Sequence, residues 1–350
     1  MLFLFFILFV IGVIYFQAKP KLQETFLAIE CVILALLAGW RNESWPDTGV
    51  YIMSFSDYTN SIFNFSWVDQ PFGYAEMGFY YLGVIIKTFI DDVHIYLAVI
   101  AGLSIFFIYK GLSKYSLYPL IGILAYVARF YCARNLCQIR SGLAYAIIIA
   151  GFYLIHERKL LKFLLLVWVA SWFHKSAIIA LPFYFFCNFV RIDKRRTIYW
   201  LVIAFVLGAF FQEPISAFVI DNSEDMDIST YTQGNYVEEA LGLGNPMIYF
   251  QCFLLLLYTF LEDKLAPITK YYYTIRAGYL YSTLILITFC SFTALSGRTS
   301  TMFATLEFCI IPSIISIFPK SQRSLYAVFV GFILLVIMLM KVRGDGLYFI

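Results

Sequence analysis

Residues that could do chemistry are few in this sequence, because the chain is unusually apolar. Of its 350 residues, 62% are hydrophobic and 13% are charged, whereas roughly 25% are charged in a typical soluble domain. This composition predicts membrane-spanning helices, and a charge inside a span costs about 2.5 to 3.5 kcal/mol on insertion scales. Each charge near a span therefore needs a structural or chemical reason. Those that lie where a predicted helix meets an external loop are Arg41, Asp47, Glu76, Arg134, Arg140, His174, Lys175 and Arg298.

Three of these arginines are suited to bind phosphate. Arg134 and Arg140 lie at a junction between two apolar segments, and Arg298 lies between two later ones. A guanidinium group donates paired hydrogen bonds to phosphate oxygens, and a lipid diphosphate is an anion available at this depth. The alternative for Arg134 and Arg140 is snorkelling toward lipid headgroups. Arg298 could instead pair with an acid of the loop 212–246.

Glu76 and His174 are the residues that could exchange a proton. Glu76 directly precedes an apolar helix, where it could act as a base or accept hydrogen bonds from sugar hydroxyls. The alternative is that it complements the helix dipole, worth roughly 0.3 to 1 kcal/mol. His174 lies with Ser176 in a tight turn between two apolar segments, and an imidazole can serve as a general base near neutral pH. Its alternative is a helix cap.

The loop after the second apolar segment has an arginine at its start. Asp47 follows Arg41 after six residues, and Tyr51 comes next. The rigid Trp45-Pro46 dipeptide predicts that Arg41 is held near Asp47, and a structural ion pair that anchors the loop is the simpler interpretation.

Metal and cofactor sites are not predicted. His94 and His156 belong to other loops than His174, and the seven cysteines form no Cys-x-x-Cys pair. Gly-rich nucleotide loops and Gly-x-Ser-x-Gly elbows are also missing from the sequence. The net charge of +3 is too scattered to indicate a nucleic-acid partner.

The elements that position these residues are predicted to be transmembrane helices. The apolar segments are continuous rather than alternating, which favours helices over a barrel. No linker separates them, so the sequence predicts an all-α polytopic membrane protein with one transmembrane domain, 1–350. The predicted segments are 2–16, 26–40, 77–90, 93–109, 117–131, 138–155, 160–173, 177–190, 197–211, 246–261, 277–292, 302–318 and 325–340.

Orientation follows from the distribution of Lys and Arg. The basic clusters at 156–162, 191–196 and 320–323 are predicted to face the cytoplasm, and the acidic loops 41–76 and 212–246 the outside. Three apolar segments then separate loop 41–76 from Arg140, although two points on one side require an even number of crossings.

Two repairs of this parity conflict are open. The preferred one makes 117–131 a re-entrant segment bent back near residues 129–140, which leaves about twelve transmembrane helices. The alternative is that another short segment, such as 77–90, does not cross.

Taken together, these groups resemble motifs of the EpsG family, the Wzy-type polymerases of O-antigen and exopolysaccharide repeat units. Departures from the usual pattern are Ser141, where glutamine is common, and Pro46, where glycine is common. The matching segments, in order, are Arg41 with Asp47-Thr48 and Tyr51, Glu76-Met-Gly-Phe79, Arg140-Ser-Gly-Leu-Ala144, Phe173-His-Lys-Ser-Ala177 and the late Arg298.

The resemblance implies polymerisation of undecaprenyl-diphosphate-linked repeat units into O-antigen, capsule or exopolysaccharide. The reaction would occur at the outer face of a bacterial inner membrane, and a flippase and a chain-length regulator would be partners. Arg140, His174 and Glu76 would be catalytic, with Arg140 and Arg298 on the diphosphates and His174 or Glu76 as the base. The substrate-binding set would be Arg41, Asp47, Tyr51, Arg134 and Arg298.

Other functions remain open at this point. A flippase for lipid-linked sugars would also need basic residues, but closer to the middle of the bilayer. A ligase that joins the chain to lipid A is chemically closer to a polymerase, and composition does not separate the two.

Overall fold

The computed structural model describes residues 1–64, 76–211 and 241–344, and all regular structure in them is helical. Two compact units are formed, one by Met1–Leu181 with Ile311–Ile350 and the other by Pro182–Ile310. The helices from the N-terminus to residue 189 are α1 (Leu2–Tyr15), α2 (Pro20–Gly39), α3 (Thr48–Ser56), α4 (Met77–Phe89), α5 (Val93–Tyr115), α6 (Pro119–Tyr126), a π-helix (Val127–Cys137), α7 (Ile139–Ala150), α8 (Tyr153–His156), α9 (Leu160–Ser171), a 3₁₀ turn (Lys175–Ile179) and α10 (Ala180–Phe189). The later helices are α11 (Lys194–Phe210), α12 (Pro246–Phe260), α13 (Glu262–Leu265), α14 (Tyr272–Thr288), α15 (Thr293–Ala304), α16 (Glu307–Ile315) and α17 (Arg323–Gly344).

Five of the described helical segments are long and apolar enough to cross a membrane. Five shorter apolar helices of 10–17 residues accompany them. The prediction of an all-α membrane protein is therefore confirmed, and the total of about twelve crossings stays a prediction. The five long segments are Pro20–Gly39, Val93–Tyr115, Pro119–Cys137, Ile139–His156 and Arg323–Met340.

In place of the re-entrant segment predicted near 117–140, the structure has one continuous helix. Pro119 opens α6, which runs without interruption into the π-helix, so that 119–137 is long enough to span. The wider turn closes with Gln138 N–H donating to the carbonyl of Ala133, 2.8 Å away. The π-helix keeps its backbone hydrogen-bonded, so regular α-helix is lost without the chain turning back.

The short helix α4 bears on the parity conflict through the contacts at its two ends. At its start, Glu76 bonds to Arg140 at the start of α7. Just beyond its end, His94 Nδ1 lies 3.1 Å from the carbonyl oxygen of Gly39, the last residue of α2. Arg41 in turn contacts the carbonyl of Asn135, close before α7. Both ends of α4 thus lie at the same end of this unit, which favours the alternative that 77–90 does not cross.

The opposite end of this unit contains two of the basic clusters. Arg323 at the start of α17 donates to Tyr118 Oη over 3.0 Å, just before α6. Tyr115 Oη at the end of α5 donates to the carbonyl of Ala150 at the end of α7, 2.8 Å away. The clusters 156–162 and 320–323 therefore lie at the end remote from Arg140, as the predicted orientation requires.

The second unit is built on α11, α12 and α14, with α12 antiparallel to the other two. Lys194 at the start of α11 pairs with Asp263, just after α12, at 2.9 Å. Arg276 in the first turns of α14 pairs with Glu262 at 2.7 Å. At the other end, Gly208 approaches the backbone of Ile287 so closely that a Cβ would lie 2.7 Å from its carbonyl oxygen.

Candidate active site

Three of the sequence motifs meet at one carboxylate. Arg140 Nη1 donates to Glu76 Oε2 over 2.7 Å, and the backbone N–H of Lys175 donates to Oε1 over 3.1 Å. His174 Nδ1 lies 3.8 Å from the same Oε1. The Glu76 side chain is only 9% exposed, whereas that of His174 is 30% exposed. Glu76 is thus enclosed by donors, and His174 faces the more open side of the cluster.

A close approach between α4 and the turn after α9 creates this meeting point. The N–H of Gly78 donates to the carbonyl of Trp172 over 2.9 Å. A Cβ on Gly78 would lie 2.7 Å from Trp172 Cβ, nearer than real side chains come. The glycine of the Glu-x-Gly-Phe motif is therefore what lets Glu76 reach the segment of His174.

A chain of hydrogen bonds leads from α7 to His174. Tyr145 Oη lies 2.7 Å from Ser176 Oγ, and Ser176 Oγ lies 2.7 Å from His174 Nδ1. The N–H of Ser176 also donates to Nδ1, over 3.2 Å. Since a backbone N–H can only donate, this contact requires Nδ1 to be an acceptor, which places the proton of the neutral ring on Nε2.

Arg134, near the end of the π-helix, is buried beside α7. It donates to Gln138 Oε1 over 2.9 Å and to Ser141 Oγ over 2.8 Å, and its guanidinium carbon lies 4.5 Å from the centre of the Tyr145 ring. A Cβ on Gly142 would lie only 2.1 Å from the carbonyl oxygen of Arg134. Glycine at 142 therefore permits α7 to pack against the end of the π-helix.

The predicted pairing of Arg41 with Asp47 is not formed. Arg41 is 3% exposed, and its Nε donates to Thr48 Oγ1 over 2.9 Å while Nη1 donates to the carbonyl of Ala38 over 3.1 Å. Asp47 is exposed, adopts a left-handed backbone with φ 63°, and makes no ion pair among the described residues. The left-handed turn directs Thr48, rather than Asp47, back to the arginine.

The apolar members of the same motifs form a common core. Tyr51 packs with Phe79 and Ile139 in one buried cluster, and Phe173 is packed against it. The Tyr51 and Phe79 rings lie 6.0 Å apart. Three of the motifs thus contribute an aromatic ring to this core, and Ile139 directly precedes the Arg140 motif.

Arg298, the last arginine of the predicted set, lies on α15 of the second unit and is partly buried. The neighbouring hydroxyls of this helix bond within it, since Thr301 Oγ1 donates to the carbonyl of Arg298 over 2.9 Å. Among the described residues no three His, Cys, Asp or Glu side chains are grouped as a metal site would require.

Four residues of the polar cluster were missed by the sequence reasoning: Asn135, Gln138, Ser141 and Tyr145. Ser141 and Tyr145 lie four residues apart in α7, so a helical repeat could have identified these two as sharing one face. Asn135 and Gln138 come from the end of the π-helix and the turn after it.

Comparison with known proteins agrees with the order of these motifs. The model of the EpsG family matches residues 24–349, which is nearly the whole chain. No curated protein and no solved structure matches it. The protein whose motifs meet at Glu76 therefore belongs to the EpsG family, a family of Wzy-like polymerases.

Proposed function

We propose that this protein polymerises undecaprenyl-diphosphate-linked oligosaccharide repeat units into surface polysaccharide at the outer face of the bacterial inner membrane. The observation that most supports this is the cluster of Glu76, Arg140 and His174, which joins three segments far apart in the sequence. It combines an imidazole base, a carboxylate beside it and an arginine for phosphate. Those are the groups that transfer of a glycan from a lipid diphosphate to a sugar hydroxyl needs.

In the proposed reaction the acceptor hydroxyl loses its proton through Ser176. A hydroxyl that binds at Ser176 Oγ would pass its proton to that oxygen as Ser176 passes its own to His174 Nδ1, 2.7 Å away. The acceptor oxygen forms the new bond to the anomeric carbon, and the bond from that carbon to the diphosphate breaks. Undecaprenyl diphosphate leaves with the electron pair.

Glu76 is proposed to stabilise the protonated base rather than to be the base. Both of its oxygens already accept hydrogen bonds, from Arg140 and from the Lys175 N–H. Its Oε1 lies 3.8 Å from His174 Nδ1, so a protonated imidazole would gain a carboxylate neighbour. That stabilisation grows as the proton arrives, and it therefore favours the transition state.

Arg140 is proposed to stabilise the departing diphosphate. A guanidinium group has five N–H donors, so Arg140 can bind Glu76 and a phosphate oxygen together. Charge accumulates on the diphosphate as it leaves, which makes such contacts stronger in the transition state than in the ground state. Arg134 would support the same site from the π-helix.

The test is complementation of a strain whose own gene for this protein is deleted. Wild-type protein should restore long polysaccharide chains, and Arg140→Ala should restore none, at equal membrane abundance. Arg195→Ala, which changes an exposed arginine of the second unit, is the matched control and should restore full length.

The polysaccharide profile also separates the rival functions. A polymerase defect leaves single repeat units attached at the surface, whereas a ligase or flippase defect leaves none. Long chains made by the Arg140→Ala strain would contradict the proposed role of this cluster.

A further inference from the structure

Arg41 is a buried cation without an acidic partner among the described residues. Its side chain contacts only neutral acceptors, namely Thr48 Oγ1 and the carbonyls of Ala38 and Asn135. Burial lowers the pKa of its guanidinium from the ordinary value, and the described groups whose charges act on it are phenols and a thiol. Arginine nevertheless stays protonated in proteins. A buried positive charge of this kind is costly unless an anion pairs with it.

Three buried hydrogen-bond donors without an acceptor occur in this region. They are Arg41 Nη2, Asn135 Nδ2 and Trp45 Nε1. Arg41, Trp45 and Asn135 are 3%, 2% and 1% exposed. Unsatisfied buried donors are rare in native proteins, and three of them in one neighbourhood point to a site for the acceptor atoms of a ligand.

Hydrogen bonds link these residues to their surroundings. Asn135 Oδ1 accepts from Tyr126 Oη over 2.6 Å, and the amide nitrogen is on the other side of the group. The carbonyl of Asn135 lies 3.4 Å from Arg41 Nη1, so the arginine and the amide are neighbours. Trp45 and Thr48 share one turn, since the N–H of Thr48 donates to the carbonyl of Trp45 over 3.1 Å.

We propose that Arg41, Asn135 and Trp45 form a binding site for a phosphate oxygen, and that the lipid diphosphate of the substrate supplies it. The second half of this inference rests on the proposed function. Arg140 pairs with the carboxylate of Glu76 over 2.7 Å. Arg41 has no such partner among the described residues, and an anion would supply it.

Inorganic pyrophosphate is the first probe, tested on the purified full-length protein in an uncharged detergent. Its dissociation constant is measured by the rise of the unfolding temperature with concentration, because a ligand that binds the native state stabilises it by mass action. Wild-type protein should be stabilised. Asn135→Asp replaces a donor by a carboxylate next to Arg41, and it should weaken binding at least tenfold.

Asn245→Asp is the matched control, because it makes the same substitution at the start of α12, where the new carboxylate still accepts from the Met247 N–H, and it should leave the dissociation constant unchanged. Gln138→Glu places a carboxylate beside Arg134 and tests whether that arginine holds the anion instead. Trp45→Phe removes a single donor and should weaken binding several-fold. If Asn135→Asp does not fold, pyrophosphate binding by Trp45→Phe tests the proposed site.

Two further ligands distinguish the sources of the phosphate. Farnesyl diphosphate should bind more tightly than pyrophosphate and with the same dependence on Asn135. Nanodiscs that contain phosphatidylglycerol should not replace it, and if they do, the site binds a bilayer headgroup instead.

Absence of pyrophosphate and farnesyl diphosphate binding to wild-type protein would overturn the inference, as would equal binding by Asn135→Asp or Trp45→Phe. Binding that is lost in Gln138→Glu alone would assign the anion to Arg134. These measurements involve no turnover, so the phosphate site and the polymerase activity can fail independently.

Discussion

At the scale of single residues, the hydrogen-bonded chain through Ser176 makes the first prediction. Ser176→Ala breaks the contact between Tyr145 and His174, so transfer of the acceptor proton should slow by about 100-fold, the lower range for general acid-base catalysis. The rate of chain elongation on lipid-linked repeat units in purified membranes measures it.

The control for this change is Ser171→Ala. Ser171 bonds only to the carbonyl of Trp168 within its own helix, 2.7 Å away, and its loss should leave the rate near the wild-type value. An unchanged rate in Ser176→Ala would mean that the acceptor proton leaves by another route.

The pair of Glu76 and Arg140 makes the second prediction. Their 2.7 Å contact joins two charged, poorly exposed side chains, and hydrogen bonds to charged groups contribute about 1.5 to 3 kcal/mol. Glu76→Gln and Arg140→Ala should therefore each destabilise the protein, and the double variant by less than their sum. Denaturant unfolding of the four proteins in detergent gives the coupling. Strict additivity would show that the pair contributes nothing to the fold.

Sequence reasoning identified the polar residues better than their partners. Glu76, Arg140 and His174 could be selected because a charge beside an apolar segment is expensive, whatever the fold. The partner of Arg41 could not be deduced, since the left-handed backbone at Asp47 decides which neighbour reaches it. Asn135 is neutral, and only its burial beside Arg41 gives it importance.

At the scale of elements, Gly78 makes the third prediction. Gly78→Ala would place a Cβ 2.7 Å from Trp172 Cβ and 2.8 Å from the Trp172 carbonyl oxygen, which must push α4 away from the turn of His174. Such overpacking lowers the free energy of unfolding by about 1 to 3 kcal/mol. The rate of polymerisation should fall by more than the loss of folded protein explains, because the distance from Glu76 to His174 increases. Thermal unfolding and polysaccharide length measure the two effects.

Gly49→Ala is the control for that prediction. A Cβ on Gly49 meets nothing within 4 Å, and alanine is the better helix former at this position in α3. It should keep full activity and should not lower the unfolding temperature. Equal loss of activity in both variants would contradict the packing argument.

The helices themselves were largely predictable, but one irregular turn was not. Long apolar segments identify α2, α5 and α17 by length and composition alone. The residue types of the π-helix Val127–Cys137 also occur in ordinary α-helices, so the sequence does not indicate its wider turns. They depend on packing against α7, where Gly142 meets the carbonyl of Arg134. A tertiary contact therefore determines the local geometry.

At the scale of the whole chain, the charge pattern placed loop 41–76 and Arg140 on one side of the membrane. Three apolar segments lie between them, which is an odd number of crossings. A short apolar helix that lies at one face of the membrane has the same composition as one that crosses it, so composition could not decide between 77–90 and the preferred 117–131. The contacts at the two ends of α4 distinguish them, because Glu76 and His94 both lie beside residues of one end of the unit. The crossings can be counted once the side of the membrane on which each loop lies has been measured.

Reporter fusions in the turn Asp91-Asp92 provide that test and make the fourth prediction. Alkaline phosphatase is active only outside the cytoplasm, so a fusion after Asp91 should be active if α4 does not cross. A fusion after Ser116, on the far side of α5, should be inactive, and one after Gln138 active again because 119–137 spans. An inactive fusion after Asp91 together with an active one after Ser116 would show that α4 crosses. Arg140 and Glu76 could then share a face only if the helix 119–137 turned back after all.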